Sequence, residues 1–299
     1  MPIVLALGGN ALLRRGEPLS AEAQQRNMRA AAAPLARACE GRQTAIVHGN
    51  GPQVGLLALE TAAYEAAPPT PLDVLGAESQ GMIGYLIARE LRNAAPQQAT
   101  AALLTQTVVS ADDPAFESPT KPIGPVYAAS EAPQLRARGW SLAADGAGVR
   151  RTVPSPAPLE VVELPIIAQM LAAGVTVICA GGGGVPVRRT PQGALVGVEA
   201  VIDKDLTAAL LALRLEAERL VILTDVDGVY LDWGAPGARR LDEVSVQELR
   251  SLTFAPGSMG PKVAAACRFA EATGRAAFIG ALAEAEAVIA GRAGTRVRP

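Results

Sequence analysis

Short runs of consecutive apolar residues alternate along the chain with longer segments in which apolar residues recur at helical spacing. The short runs are typical of buried strands: Ile3–Leu7, Thr44–Val47, Ala101–Thr105, Val175–Cys179, Leu220–Leu223 and Ala276–Ile279. The longer segments predict helices: Ala21–Ala38, Pro52–Ala63, Val74–Asn93, Leu164–Ala172, Asp205–Leu215, Val246–Leu252 and Lys262–Thr273. This alternation predicts an α/β fold, with a mainly parallel sheet covered by helices on both faces. Ligands then belong at the carboxyl ends of the strands.

The segment 112–158 departs from this alternation because it is crowded with Pro, Gly, Ser and charged residues. We expect it to form a small protruding subdomain that acts as a lid, with a hairpin around Asp145–Gly146. A disordered linker is the alternative. The aromatic residues Tyr127 and Trp140, together with proline-rich turns, favour a defined shape.

Composition narrows the class of protein. The chain has 299 residues, of which 49% are hydrophobic and 19% charged, with a net charge of −2. It can bury a sizeable core, and its charge gives no general attraction for nucleic acid or anionic membranes. It has no run of about 18 apolar residues, so we expect no membrane span. The three cysteines, Cys39, Cys179 and Cys267, are odd in number and their spacing matches no metal motif, so we expect free thiols. The N-terminus does not resemble a signal peptide, and together with the free thiols this predicts a cytoplasmic location.

Three predicted strands end in glycine-rich turns, in the sequences LALGGNALL, AIVHGNGPQVG and VICAGGGGVPV. Glycine lets backbone N–H groups approach an anion, although it serves ordinary tight turns equally well. The loops fit neither the Walker pattern nor a full dinucleotide fingerprint. Asn10 and Asn50 either donate to a phosphate or carbonyl oxygen or adopt a left-handed turn. His48, the single histidine, is more typical of a packed, hydrogen-bonded residue than of a catalytic one.

Lysine is rare in this chain. Of 27 basic residues only three are lysines, Lys121, Lys204 and Lys262. Lys204 and Lys262 lie at the starts of predicted helices, where a positive charge costs roughly 0.3–1 kcal/mol unless an anion compensates. An ammonium group can follow a phosphoryl group as it moves. The alternative for Lys204 is a local ion pair with Asp203 or Asp205, and either aspartate can also cap the helix.

Two further segments complete the predicted site. Lys121 lies among prolines in the protruding segment, which suits the delivery of a charge. The sequence LTDVDGVYLDWG combines a buried strand, an acidic turn and a tyrosine, which suits contacts with a nucleotide or Mg²⁺. The alternative for Asp227 is an ordinary Asp-Gly hairpin turn. Together these parts indicate phosphoryl transfer without a covalent intermediate.

The motifs resemble those of the carbamate kinase family, which belongs to the amino acid kinase superfamily. In chain order they are GGNALL, HGNGPQVG, ESQGMIGYLI, KPIGP, RRTVPSPAP, GGGGVPV, GVEAVIDKD and GSMGPKV. The resemblance covers essentially the whole chain. It implies a single domain over residues 1–299, built as an open, mainly parallel eight-stranded αβα sandwich. It also implies a homodimer and a reversible, Mg-dependent transfer between ATP and carbamate.

The resemblance also implies roles for particular residues. Lys204 and Lys262 would flank the transferred phosphoryl group, Asp205 would organise them, and Lys121 would arrive from the protruding subdomain. Residues expected at the carbamoyl phosphate end are Gly8, Gly9, Asn10, Gly49, Asn50 and Gly51. Residues expected to face ATP or ADP are Gly182, Gly183, Thr224, Asp225, Tyr230, Met259 and Gly260. Mg²⁺ would be bound mainly through the nucleotide phosphates. An N-terminal lobe of about 1–172 would hold carbamate, and a C-terminal lobe of about 173–299 the nucleotide.

The chain departs from the family pattern at Val126 and at Asp232–Trp233, both near expected ligand contacts. Two alternatives to carbamate phosphorylation stay open at this stage. One is a kinase for a different small acid or amine, and the other is a non-catalytic sensor that binds the same ligands. The three retained lysines argue against the sensor.

Overall fold

The computed structural model describes residues 1–9, 13, 16–64, 66, 68–254 and 259–299. The helices are α1 (Ala21–Cys39), α2 (Gly51–Ala63), α3 (Leu72–Ala94), α4 (Ala132–Ala137), α5 (Leu164–Ala172), α6 (Lys204–Arg214), α7 (Val246–Arg250), α8 (Met259–Thr273) and α9 (Ala285–Ile289). The strands are β1 (Ile3–Leu7), β2 (Thr44–His48), β3 (Thr100–Ala102), β4 (Gln106–Val108), β5 (Lys121–Ala128), β6 (Ser141–Asp145), β7 (Gly148–Val153), β8 (Glu160–Val161), β9 (Thr176–Ile178), β10 (Val185–Arg189), β11 (Leu195–Gly197), β12 (Arg219–Thr224), β13 (Val229–Leu231), β14 (Arg239–Leu241), β15 (Glu243–Ser245), β16 (Ala277–Ala281) and β17 (Thr295–Arg298).

The centre of the molecule is a twisted sheet that, in the described part of the chain, has eight strands in the order β15-β17-β16-β12-β1-β2-β9-β3. Its neighbouring strands run parallel except for the antiparallel pair β16 and β17. The predicted fold class is therefore confirmed.

Helices cover both faces of this sheet, and the side chains of β1 show how the two layers form. Successive residues of a strand point to opposite faces. Val4 and Ala6 pack with residues of α5, α6 and α8. Ile3, Leu5 and Leu7 pack instead with residues of α1, α3 and α9. A continuous apolar strand is thus required, because both of its faces are buried.

One predicted strand, Ala101–Thr105, is wrong in its extent. The chain leaves the central sheet after Ala102, and β4 begins at Gln106 in a second sheet ordered β11-β10-β4-β8. Thr105 lies at the crossing point, where its backbone N–H and its hydroxyl both bond to Oε1 of Gln80, at 3.0 and 3.1 Å. A side chain of α3 therefore replaces the strand neighbour that a continuous β-strand would have.

The segment 112–158 forms a small sheet ordered β5-β7-β6. The predicted hairpin is confirmed, since β6 ends at Asp145 and pairs with β7 from Gly148 onward. The expectation of a defined shape is also confirmed, because the rings of Tyr127 and Trp140 meet edge to face at 6.1 Å. The guanidinium of Arg151 lies 4.7 Å from the centre of the Trp140 ring.

This small sheet rests on α2 through a glycine contact. A Cβ atom on Gly55 would lie 2.0 Å from the backbone N and Cα of Gly124, which itself has a left-handed φ of +70°. Two backbones therefore touch where any side chain would separate them. Because Lys121 lies three residues before Gly124, the contact fixes the base of the strand that carries Lys121.

The described helices include none with the length and apolar character that crossing a membrane requires. Cys39, Cys179 and Cys267 are buried free thiols. Burial raises the pKa of Cys39 and of Cys179 to about 12, which makes both thiols unreactive. The division into two lobes at about residue 172 stays a prediction.

Candidate active site

A cavity of about 240 Å³ opens where the loops after β1, β2 and β9 meet the starts of α6 and α8. It lies at the carboxyl ends of the central strands, as the strand pattern predicts. The lining residues are Gly9, Gly49, Asn50, Gly51, Pro52, Lys121, Pro122, Arg150, Gly182, Ile202, Asp203, Lys204, Asp205, Pro261 and Lys262. The three lysines of the chain thus meet in one place, although they are far apart in sequence.

Asp205 joins two of these lysines. Its Oδ1 accepts from Nζ of Lys204 at 2.6 Å, and its Oδ2 accepts from Nζ of Lys262 at 3.2 Å. Asp205 is 2% exposed and Lys204 8% exposed, so this contact lies almost entirely out of water. One carboxylate therefore sets the separation between an ammonium group on α6 and another on α8.

Asp203 joins the third lysine to the same helix. Its Oδ1 caps α6 by accepting hydrogen bonds from the backbone N–H groups of Asp205 and Leu206. Its Oδ2 accepts a hydrogen bond from Nζ of Lys121 at 2.5 Å. Burial alone would raise the pKa of Asp203, but the charges of Lys121 and Lys204 outweigh it and lower this pKa to about 2. The carboxylate is therefore ionised at any physiological pH.

Lys204 has the most unusual environment of the three. Burial lowers its pKa, the positive charge of Lys262 acts in the same direction, and Asp205 and Asp203 oppose them. The local ion pair considered as an alternative does form with Asp205, and it does not keep Lys204 away from the cavity. Asp205 and Asp203 therefore favour the charged form of Lys204 at the start of α6, where burial and the helix dipole both disfavour it.

The glycine loops contribute residues predicted for the substrate end and, in the third loop, residues predicted for the nucleotide, Gly182 and Gly183. Gly9, Gly49, Asn50, Gly51 and Gly182 line the cavity. Gly8 and Gly183 are not among the described residues that line it; Gly8 instead donates its N–H to Leu223, and the carbonyl of Gly183 accepts from two threonines. Asn10 lies outside the described residues.

His48 is buried behind the second loop, and Nδ1 lies 3.0 Å from the carbonyl oxygen of Gly49. Burial, aided by the charge of Lys204, lowers the pKa of His48 to about 4, against the opposing effect of the Gly49 hydrogen bond. The ring is therefore neutral at physiological pH, in line with a packed histidine.

Of the residues predicted to face the nucleotide, Gly182 lines this cavity. The others are not among the described residues that line it: Gly183, Thr224, Asp225, Tyr230, Met259 and Gly260. Thr224 ends β12 beside Gly8 and donates to Asp225 at 3.0 Å. The hydroxyl of Tyr230 donates to Asp227 at 2.9 Å, and its ring meets Trp233 edge to face at 5.0 Å. Met259 and Gly260 begin α8, in the same first helical turn as Pro261 and Lys262.

Arg150 is a cavity residue that the sequence pattern did not single out. Its Nε donates to the carbonyl oxygen of Gly124 at 2.8 Å, and its Nη1 lies 3.5 Å from Asp145. These contacts hold a second cation of the small sheet over the cavity that Lys121 enters. The first arginine of RRTVPSPAP was the available signal, but 24 arginines in the chain made it inconspicuous.

Fold and site together are those of a phosphotransferase that handles anions at the carboxyl end of a parallel sheet. The family model described as "Amino acid kinase family" matches residues 1–281. The carbamate kinase of Haemophilus influenzae is 52% identical over 299 residues, which cover 99% of this chain and 96% of the relative. The carbamate kinase of Pyrococcus furiosus is 46% identical over 311 residues, which cover 99% of each chain.

Solved structures agree with these relatives. Carbamate kinase from Giardia lamblia bound to citric acid superposes with a TM-score of 0.93 at 40% identity, covering 99% of this chain and 98% of that one. The same enzyme bound to AMP-PNP superposes with a TM-score of 0.89 and the same identity and coverage. The chain therefore belongs to the amino acid kinase family, and within that family it is a kinase homologous to the carbamate kinases. The resemblance inferred from the motifs is confirmed.

Proposed function

We propose that this protein is a carbamate kinase that transfers a phosphoryl group directly and reversibly between ATP and carbamate. In the forward direction a carboxylate oxygen of carbamate bonds to the γ-phosphorus of ATP while the bond to the β–γ bridging oxygen breaks. The products are carbamoyl phosphate and ADP. The observation that carries the proposal is the convergence of Lys121, Lys204 and Lys262 on one cavity beside the glycine loops.

The charges of the cavity suit a multiply charged anion. Three lysines and two aspartates leave one net positive charge, and Arg150 adds another. In our proposal Lys204 and Lys262 stabilise the charge that spreads over the transferred phosphoryl group, and Asp205 maintains their spacing. Lys121 adds a third ammonium from the small sheet. The helix starts of α2, α6 and α8 contribute backbone N–H groups around the same space.

We propose that the nucleotide reaches this cavity from the side of Thr224, Asp225, Tyr230, Met259 and Gly260. The AMP-PNP complex of the Giardia relative supports the use of ATP or ADP. The described residues contain no group of three or more His, Cys, Asp or Glu side chains suited to a metal ion. Both cavity carboxylates already bind ammonium groups, so Mg²⁺ would be held mainly by the nucleotide phosphates, where it would neutralise part of their charge.

The test is ATP formation from ADP and carbamoyl phosphate, coupled to a luminescent ATP reporter, with Mg²⁺ present and then omitted. We expect turnover that requires Mg²⁺. A protein that binds carbamoyl phosphate without turnover would instead be a sensor. A protein that phosphorylates another small acid but ignores carbamoyl phosphate would be a different kinase.

We also propose a homodimer and a cytoplasmic location. The helix α3 and the residues that follow the edge strand β3 expose large apolar side chains: Met82 and Tyr85 of α3 are 42% and 61% exposed, and Leu104, two residues after β3, is 58% exposed. A second copy would cover these side chains. We expect light scattering to give twice the chain mass, and Tyr85→Asp to shift the protein toward the monomer. The free thiols fit a reducing compartment.

A further inference from the structure

The side chain of Asn50 does not cap the helix that follows it, although its position is one where asparagine usually does so. Asn50 is the N-cap residue of α2, and an N-cap asparagine ordinarily accepts a hydrogen bond from a backbone N–H of the first turn. Its side chain makes no such bond. The helix therefore forgoes the stabilisation that a capping oxygen provides, and that oxygen is available for another purpose.

Ser79 fixes which end of the Asn50 amide faces the cavity. Nδ2 of Asn50 donates to Oγ of Ser79 at 2.8 Å, and Oγ of Ser79 donates to the carbonyl oxygen of Gly76 at 2.8 Å. A serine hydroxyl has a single proton, and Gly76 takes it, so Ser79 can only accept from the amide. Both Ser79 and its bond to Asn50 are buried. The amide is therefore held with Nδ2 toward α3.

This orientation leaves Oδ1 as an acceptor at the cavity. Oδ1 of Asn50 has no hydrogen-bond partner among the described residues. It is nevertheless accessible to solvent, since it is not one of the unpaired side-chain atoms that are fully buried. It therefore opens to the cavity that Asn50 lines. The other side-chain acceptors there, the carboxylates of Asp203 and Asp205, already receive hydrogen bonds from lysines and backbone N–H groups.

We infer that Oδ1 of Asn50 accepts a hydrogen bond from the amino group of carbamate and of carbamoyl phosphate, and that Ser79 is the residue that positions it. The inference rests on the proposed function and adds the basis of its selectivity. The lysines and backbone N–H groups are donors, which recognise phosphate and carboxylate oxygens alike. Only an acceptor can distinguish an –NH₂ group from a methyl group of the same size.

Acetyl phosphate is the matched probe, because a methyl group replaces the amino group and the phosphate end is unchanged. The experiment measures kcat/KM for carbamoyl phosphate and for acetyl phosphate with ADP, in the wild type, Ser79→Ala and Asn50→Leu. Where acetyl phosphate is not turned over, its inhibition constant against carbamoyl phosphate takes its place. We expect the preference for carbamoyl phosphate to fall about tenfold in each variant, the effect of one neutral hydrogen bond in a buried site.

The ratio separates recognition from general damage, because a distorted cavity impairs both substrates. Gln80→Met is the matched control: it removes buried hydrogen bonds to Thr105 from the next residue of α3, and we expect it to leave the preference within about twofold. If Ser79→Ala does not fold, Asn50→Leu decides the question. An unchanged preference in the variants that fold overturns the inference while the proposed function stands. A wild type without activity on carbamoyl phosphate overturns both.

Discussion

The link between Asp203 and Lys121 gives the sharpest test of how the cavity is held together. Asn is as good an N-cap as Asp, so Asp203→Asn keeps the cap of α6 and removes only the charge. The substitution removes the negative charge that binds Lys121 and attracts Lys204. We therefore expect a loss of stability that comes from electrostatics alone.

The magnitude follows from the pKa of Asp203. Burial raises this pKa, the charges of Lys121 and Lys204 and their hydrogen bonds outweigh burial, and the value falls from 3.8 to about 2. That lowering corresponds to about 2 kcal/mol of stability at neutral pH. Because the pKa is lowered in the folded state, the contribution is fully present well above 3.8 and is lost as the pH falls through 2. About half of it should remain near pH 3.

The assay is urea unfolding of the wild type and of Asp203→Asn at pH 7, 4 and 3, followed by circular dichroism. We expect a difference of about 2 kcal/mol at pH 7 that is almost unchanged at pH 4 and smaller at pH 3. Glu160→Gln is the control, since Glu160 pairs with Arg189 at 2.6 Å but both side chains are nearly half exposed. Such a pair should contribute less than about 1 kcal/mol. Equal stabilities of wild type and Asp203→Asn at pH 7 would refute the reasoning.

Three further substitutions test the catalytic arrangement. Lys204→Arg should lose about 100-fold in kcat while the protein stays folded, because Gly49 lies against the Lys204 stem and leaves little room for a guanidinium to reach the phosphoryl group. Near-native turnover would contradict this. In steady-state assays, Arg150→Gln should raise KM for carbamoyl phosphate about tenfold and change kcat less, because Arg150 lines the cavity as a cation. A change in kcat alone would show that Arg150 does not simply bind the anionic substrate. Gly55→Ala should lower kcat about tenfold or more, because the new Cβ displaces Gly124 and with it the strand that carries Lys121. Gly81→Ala is the control: nothing lies within 4 Å of its new Cβ, so it should leave kcat unchanged.

The fold was predictable to the extent that it depends on local pattern. β1 is buried on both faces, so its five apolar residues identify it in isolation. The strand predicted at Ala101–Thr105 failed because its end is decided by Gln80, which is 25 residues away in sequence and replaces the neighbouring strand with an amide. Hydrophobic periodicity contains no information about such a contact. The hairpin at Asp145 was found because its turn signal is local.

The site was predictable where residue identity was informative. Lysines are so rare in this chain that two at predicted helix starts and a third among prolines in the protruding segment pointed to one centre. Arg150 was missed because an arginine among 24 carries no comparable signal. Ser79 was missed for a different reason: its role consists of orienting another side chain, which only coordinates reveal.

The geometry explains why Lys121 and Lys204 are lysines in a chain that mostly uses arginine. An ammonium group has three N–H donors around one atom. Among the described contacts of Lys204 one donor binds Asp205, and among those of Lys121 one binds Asp203, so each lysine keeps two donors for the phosphoryl group. A guanidinium that binds a carboxylate side by side would present its remaining donors in a fixed plane. The compact ammonium can hold its carboxylate and still turn toward a phosphorus that moves between two oxygens, so the same residues serve both directions of the reaction.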